Sequence, residues 1–274
     1  MDLSNFILVT LFAFLISSFT SQAGVSGAFL ILPFQISVLG FSSPAVSSTN
    51  FVYNIVAIPS GVYRYIREGR FLKPLALVIA FGTLPGIFIG ALIRVTYLPD
   101  PKNFKLFVGV VLLYLGLRLL YTKKSERREV RVARIVKVSI REVVYEFSNR
   151  TYSFSVLKVF LIAFLIGIVG GAYGVGGGAM IAPILVSVFG LPIYTTAGAT
   201  LFATFISSIA GVAYYSILGY SPNWIQGLSI GIGGFFGMYV GAGMQKFMPE
   251  RVIRIGLSVL IIVLAIKYIL QFFL

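Results

Sequence analysis

Two long stretches of this chain carry no charged residue: Leu3 to Tyr63 and Val159 to Gln245. A helix needs about 20 apolar residues to cross the hydrocarbon of a bilayer, so each stretch can cross several times. A soluble protein of this size needs charges to cover its surface. With 58% hydrophobic and 11% charged residues, an integral, multi-pass membrane protein is the class that remains.

The formal net charge of +14 raises nucleic acid as a partner, but its placement argues against it. Between Lys123 and Lys158 there are ten Lys/Arg and four Glu, and most other basic residues stand at the edges of apolar segments. That is the positive-inside pattern of the cell membrane. The expected partner of this charge is the anionic cytoplasmic surface of membrane lipids, not nucleic acid. The chain has no Cys and no His. Disulfides, thiol catalysis and ordinary zinc or haem sites drop out, and no metal or other cofactor is expected.

The chain reads as a duplication. The run Gly174-Val175-Gly176-Gly177-Gly178-Ala179-Met180-Ile181-Ala182-Pro183 has a weaker copy 150 residues earlier, Gly24-Val25-Ser26-Gly27-Ala28-Phe29-Leu30-Ile31-Leu32-Pro33. The offset persists downstream: Ser37 matches Ser187, Gly40 matches Gly190 and Gly61 matches Gly211. It then slips by one, so that Gly82, Gly86 and Gly90 match Gly233, Gly237 and Gly241. Each half holds five apolar segments. The expected organisation is a first transmembrane repeat at 1–121, a basic linker at 122–153 and a second transmembrane repeat at 154–274.

The linker's charge places it in the cytoplasm. Counting outward puts Arg64, Arg67, Arg70 and Lys73 inside, while the equivalent turn Gly219–Asn223 falls outside without any charge. Lys246, Arg251 and Arg254 fall inside. Equivalent loops on opposite faces mean inverted-topology repeats. The expected fold is therefore an all-α polytopic membrane protein whose Gly-broken helices or re-entrant hairpins lie near the midplane. Arg94, Lys102 and Lys105 fit this frame badly, since they fall outside. Within the linker, Val130, Val132, Val136, Val138 and Ile140 alternate with basic residues, which suits strand better than helix.

The candidate binding residues lie at and just after the two motifs. In the second half they are Gly174, Gly176, Gly177 and Gly178, and in the first Gly24, Ser26 and Gly27. Glycines let the backbone break its helix and turn N–H groups toward a ligand, and the start of the following helix adds a positive dipole end that favours an anion. The competing reading is close helix packing through small residues. The Pro closing each motif removes a backbone donor and fits a deliberate break. Downstream, Asn50 aligns with Thr200 and Asn54 with Thr204. Asn50 and Asn54, and likewise Thr200 and Thr204, stand four residues apart, on one helix face, and can donate to anion oxygens. The alternative for the threonines is a bond back to their own helix. Asn50 has less freedom, because a primary amide in lipid needs a partner. No Asp, Glu or His lies deep in a span. No proton relay is visible, and a membrane potential worth about 2.3 kcal/mol per charge per 100 mV would drive anion export without one. The core offers hydroxyls and amides but no acid, base or nucleophile pair, so enzymatic activity is not expected.

At these residues the chain resembles the sulfite exporter TauE/SafE family, also called the toluene sulfonate uptake permease family. The resemblance rests on the duplicated Gly-rich motif followed by Pro, on Ala197-Gly198-Ala199-Thr200-Leu201-Phe202 and on the polar central loop. The second motif copy matches the family's G-x-G-G-G pattern. The first departs from it at Ser26 and Ala28. The resemblance implies transport of a small sulfur-containing anion such as sulfite, thiosulfate or an organosulfonate. An anion channel is the nearest rival, and the oligomeric state stays open.

Overall fold

The computed structural model describes residues 3–23, 25–41, 43–121, 133–244 and 250–273. Ten α-helices stand among them, five on each side of the linker. The first five are α1 (Leu3–Thr20), α2 (Ala28–Ser37), α3 (Ala45–Arg67), α4 (Lys73–Thr96) and α5 (Pro101–Tyr121). The second five are α6 (Val156–Tyr173), α7 (Gly177–Ser187), α8 (Ile193–Ile217), α9 (Trp224–Met244) and α10 (Glu250–Phe273). Among the described residues α4, α6, α8 and α9 are long and apolar enough to cross a membrane. In α3 the buried face is partly polar, from Ser47 to Asn54, which lowers its hydropathy without exposing it.

The expectation of an all-α chain needs correction. The second part of the linker folds as a three-stranded antiparallel meander, β1 (Arg134–Val138), β2 (Glu142–Phe147) and β3 (Arg150–Ser155). In β2 the side chains alternate, with Val143, Tyr145 and Phe147 buried and Glu142 and Glu146 exposed. This period of two is that of a sheet with one covered face. Ser148 and Asn149, at φ 50° and 60°, turn β2 into β3, as a tight hairpin requires. The covered face joins one buried apolar cluster with Leu72 at the cap of α4, with Leu75, Ala76 and Ile79 of α4 and with Ala199 and Ala203 of α8. Tyr145 Oη and Thr195 Oγ1 hydrogen-bond at 3.0 Å, which ties the sheet to the first turn of α8. Val136 and Val138 lie in β1 as the alternation suggested, whereas Val130 and Val132 fall outside the described residues.

The two helical halves interlock by exchange. The fourth helix of each half lies along the first helix of the other: α4 on α6, and α9 on α1. The glycine series makes both contacts. A side chain at Gly82 would stand 2.8 Å from Phe160 O, and one at Gly86 or Gly90 would collide with Phe164 O or Ile168 O. In the other half, side chains at Gly233, Gly237 and Gly241 would collide with Thr10 O, Phe14 O and Ser18 O. The carbonyls are themselves 150 residues apart. Close backbone approach through small residues is how membrane helices pack without a hydrophobic drive. The central helices α3 and α8 run antiparallel: Gly61 meets Leu201 at 3.6 Å and Gly211 meets Phe51 at 2.5 Å, measured from the position a Cβ would take. These two contacts are the same contact seen from either half.

The poorly fitting charge at Arg94 is also explained. Its side chain is fully buried. Its guanidinium donates to Leu98 O and lies 3.6 Å over the ring of Phe104. It closes the end of α4 instead of facing water as a loop charge.

Candidate functional site

The second Gly-rich motif stands where α6 ends and α7 begins, and in the first half α1 ends at Thr20 and α2 opens at Ala28. Gly174 takes the left-handed conformation (φ 82°, ψ 25°) and caps α6, and Gly176 at φ 81° opens α7. A Cβ disfavours both conformations. The break turns the chain back on itself. A side chain at Gly177 would stand 3.3 Å from the Cα of Gly167, whereas a continuous helix would carry ten residues about 15 Å. The position Gly176 would give a Cβ lies 2.8 Å from Thr204, near the middle of α8. In the first half, Ser26 and Gly27 meet Asn54 and Tyr53, near the middle of α3. Both breaks therefore sit at mid-height of the bundle.

The amide groups are not distributed as a simple cradle. Those of Gly174, Val175 and Gly176 all donate to Gly170 O, at 2.9, 3.0 and 3.3 Å. They satisfy the C-terminus of α6. The amides of Gly177 and Gly178 open α7, and helix geometry leaves them without a partner in their own helix. Thr204, Ser207 and Ser208 stand beside this opening.

Asn50 and Asn54 join the two breaks. Asn50 Nδ2 donates to Ala28 O at 2.9 Å and to Gly174 O at 2.9 Å, and its Oδ1 accepts from Gln35 Nε2 at 3.1 Å. Asn54 Nδ2 donates to Val175 O at 3.0 Å, and its Oδ1 accepts from Ser26 Oγ. Both side chains are completely buried. Tyr173 Oη donates to Phe29 O at 2.7 Å, crossing between the motifs in the other direction. Ser47 Oγ reaches Ala172 O and Tyr173 O, each at 3.4 Å. That α3 carries Ser47, Asn50 and Asn54 into the core at this level is explained by the carbonyls that the broken backbone leaves there.

Where the first motif departs from glycine, the substitute has a task. Ser26 aligns with Gly176, and its Oγ accepts from Ala28 N at 3.2 Å at the start of α2 while donating to Asn54. Ser26, just before the N-cap Gly27, thus holds an opening amide of α2 and bridges to Asn54 at once. Gly24 lies outside the described residues. Thr200 and Thr204 bond back to their own helix, to Ala197 O at 3.0 Å and Thr200 O at 2.9 Å. A side chain on Gly178 would collide with Thr200 O and Thr204 Oγ1, so α7 packs directly on this hydroxyl row.

One pair escaped sequence reasoning. Tyr65 Oη donates to Ser21 O at 3.0 Å, and Tyr215 Oη donates to Gly171 O at 2.9 Å. Donors and acceptors are each 150 residues apart. The signal was a tyrosine at the same place in both halves, hidden among 15 tyrosines. Outside the helical core, Glu68 accepts from Arg64 Nε at 2.9 Å and pairs with the buried Arg70. Partial burial pushes its carboxyl up, but the two arginines outweigh this and hold it below the usual range. Arg70 also donates to Ala242 O at 3.3 Å, at the carbonyl end of α9, where a cation is favoured.

The family model for the sulfite exporter TauE/SafE matches residues 9–268. The chain belongs to the TauE/SafE family. This TauE/SafE chain is 23% identical over 279 residues to the Probable membrane transporter protein YunE of Bacillus subtilis (strain 168), covering 97% of this chain and 98% of that protein. It is 30% identical over 100 residues to the Probable membrane transporter protein MJ0441 of Methanocaldococcus jannaschii, covering 34% and 37%. A segment of 63 residues is 40% identical to the Sulfite exporter TauE/SafE family protein 5 of Arabidopsis thaliana, covering 23% of this chain and 14% of that protein. No solved structure gives a significant match. The chain is a multi-pass protein of a membrane transporter family.

Proposed function

We propose that this chain carries small sulfur-containing anions, such as sulfite, thiosulfate or organosulfonates, across the cell membrane by alternating access between two inverted-topology repeats. The observation that carries the reading is the meeting of both breaks on one helix, at Asn50 and Asn54. The antiparallel contacts of α3 with α8 support the inversion, because a two-fold axis perpendicular to two helices relates them head to tail. The substrate class comes from the family.

The described arrangement is a closed state. Asn50 and Asn54 spend their donors on Ala28 O, Gly174 O and Val175 O. When one hairpin parts from α3, these amides and the opening amides of α7 become available to the oxygens of an anion. The site is neutral, so the anion is held by dipoles and hydrogen bonds and released without a countercharge to break. Inside-negative potential then drives export. The linker and its sheet lie in the cytoplasm in this frame.

Proteoliposomes test the reading directly. Flux of sulfite, thiosulfate and a sulfonate series is measured under a potassium–valinomycin potential and under a proton gradient alone. The account expects flux of one of these anions to follow the potential. Flux that ignores the potential and follows the proton gradient contradicts it.

A further inference from the structure

At the end of the bundle where the sheet docks, a groove of about 740 Å³ runs between the first turns of α4 and the β1–β2 turn. Leu77 and Val78 form one wall, and Val138 and Ile140 the other. These are unusual residues to leave uncovered beside water: Val138 is 62% exposed and Ile140, at the tip of the turn, is 91% exposed. Lys73 is the one charge in the lining. It opens α4, a helix long and apolar enough to span a membrane. The groove therefore lies where hydrocarbon gives way to headgroups. Arg141 follows Ile140 in the turn, and its carbonyl accepts from Val156 N at 3.0 Å, which fixes the turn against α6. Glu142, also exposed, is the acid of the same turn.

We propose that this groove holds one anionic phospholipid. An acyl chain lies along Leu77, Val78 and Val138, the tip at Ile140 dips into the hydrocarbon, and the headgroup phosphate faces Lys73. The chemistry selects this occupant. The walls fit an acyl chain, and the cation at the mouth fits a negative headgroup. The linker segment 122–132 is a poor competitor, since it is rich in Lys and Arg and repels Lys73.

Native mass spectrometry of the full chain, purified from mixed phosphatidylglycerol and phosphatidylcholine, tests this. The wild type is expected to retain one phosphatidylglycerol in preference to phosphatidylcholine. Lys73→Gln should lower that preference about fivefold, the worth of one basic residue near a charged surface. Lys73→Arg should keep it, and Ile140→Ser should weaken retention of both lipids. Lys102→Gln, at the far end of the bundle, should change nothing. Equal retention of the two lipids, an unchanged preference in Lys73→Gln, loss of preference in Lys73→Arg, or displacement of the lipid by inorganic phosphate would each overturn the proposal.

Discussion

Asn54, near the middle of α3, donates to the carbonyl of Val175 at 3.0 Å, across 121 positions of sequence. Through it a helix of the first half holds the broken backbone of the second. Because the same amide accepts from Ser26, one side chain fastens both breaks. Asn54→Ala leaves a buried carbonyl and a buried hydroxyl without this partner, at a cost of about 1–2 kcal/mol. A lowered melting temperature together with loss of anion flux is expected. Flux at the wild-type level would remove Asn54 from the site.

Gly177 packs where a Cβ would collide with the Cγ2 methyl of Thr83. Gly177→Ala is therefore expected to impair flux, and adding Thr83→Ser, which deletes that methyl, to restore part of it. The coupling of the two changes is read from the four variants of a double-mutant cycle. Purely additive losses would mean that the clash is not what disables the first variant.

Gly178 and Gly190 separate packing from backbone strain. A side chain at Gly178 collides with Thr200 O, whereas Gly190, at φ +66°, has nothing within 4 Å. Gly190→Ala should cost about 1 kcal/mol of left-handed strain and keep its flux. Gly178→Ala should lose flux. Thermal unfolding and flux of the two variants, measured side by side, check the contrast.

Glu68 links pH to stability. Burial, the largest single influence, pushes its carboxyl up, but the hydrogen bonds and charges of Arg64 and Arg70 together outweigh it and hold the group below the ordinary value of 4.5. A depressed carboxylate adds stability above its unfolded pKa, and that stability is lost as pH falls through the folded one. Wild type should melt above Glu68→Gln near neutrality, by a margin reduced by solvent screening. The two curves should converge in acid, below the ordinary carboxylate range. Parallel curves across that range would contradict the pairing.

The sequence carried the duplication to the residue. The slip that pairs Gly82, Gly86 and Gly90 with Gly233, Gly237 and Gly241 is real in space, because both series meet carbonyls 150 residues apart. What they meet was not legible, since exchange of first and fourth helices between halves is a long-range choice that no local pattern encodes. Asn50 stood out as an amide needing a partner, and its partners, like that of Asn54, proved to be motif carbonyls. The strands were visible as alternation, but their docking on α4 and α8 was not, because Val143, Tyr145 and Phe147 look alike to any apolar surface. Arg94 fitted the topology count badly because a sequence gives no sign that an arginine near a span end turns inward onto Phe104.

The most direct test of the central claim is counterflow in proteoliposomes. Labelled anion is supplied outside, with and without unlabelled anion inside, for wild type and Asn54→Ala. The account predicts saturable entry that internal anion accelerates in the wild type and that Asn54→Ala abolishes. Entry that neither saturates nor responds to internal anion, or that persists unchanged in Asn54→Ala, would contradict a carrier built on the two breaks.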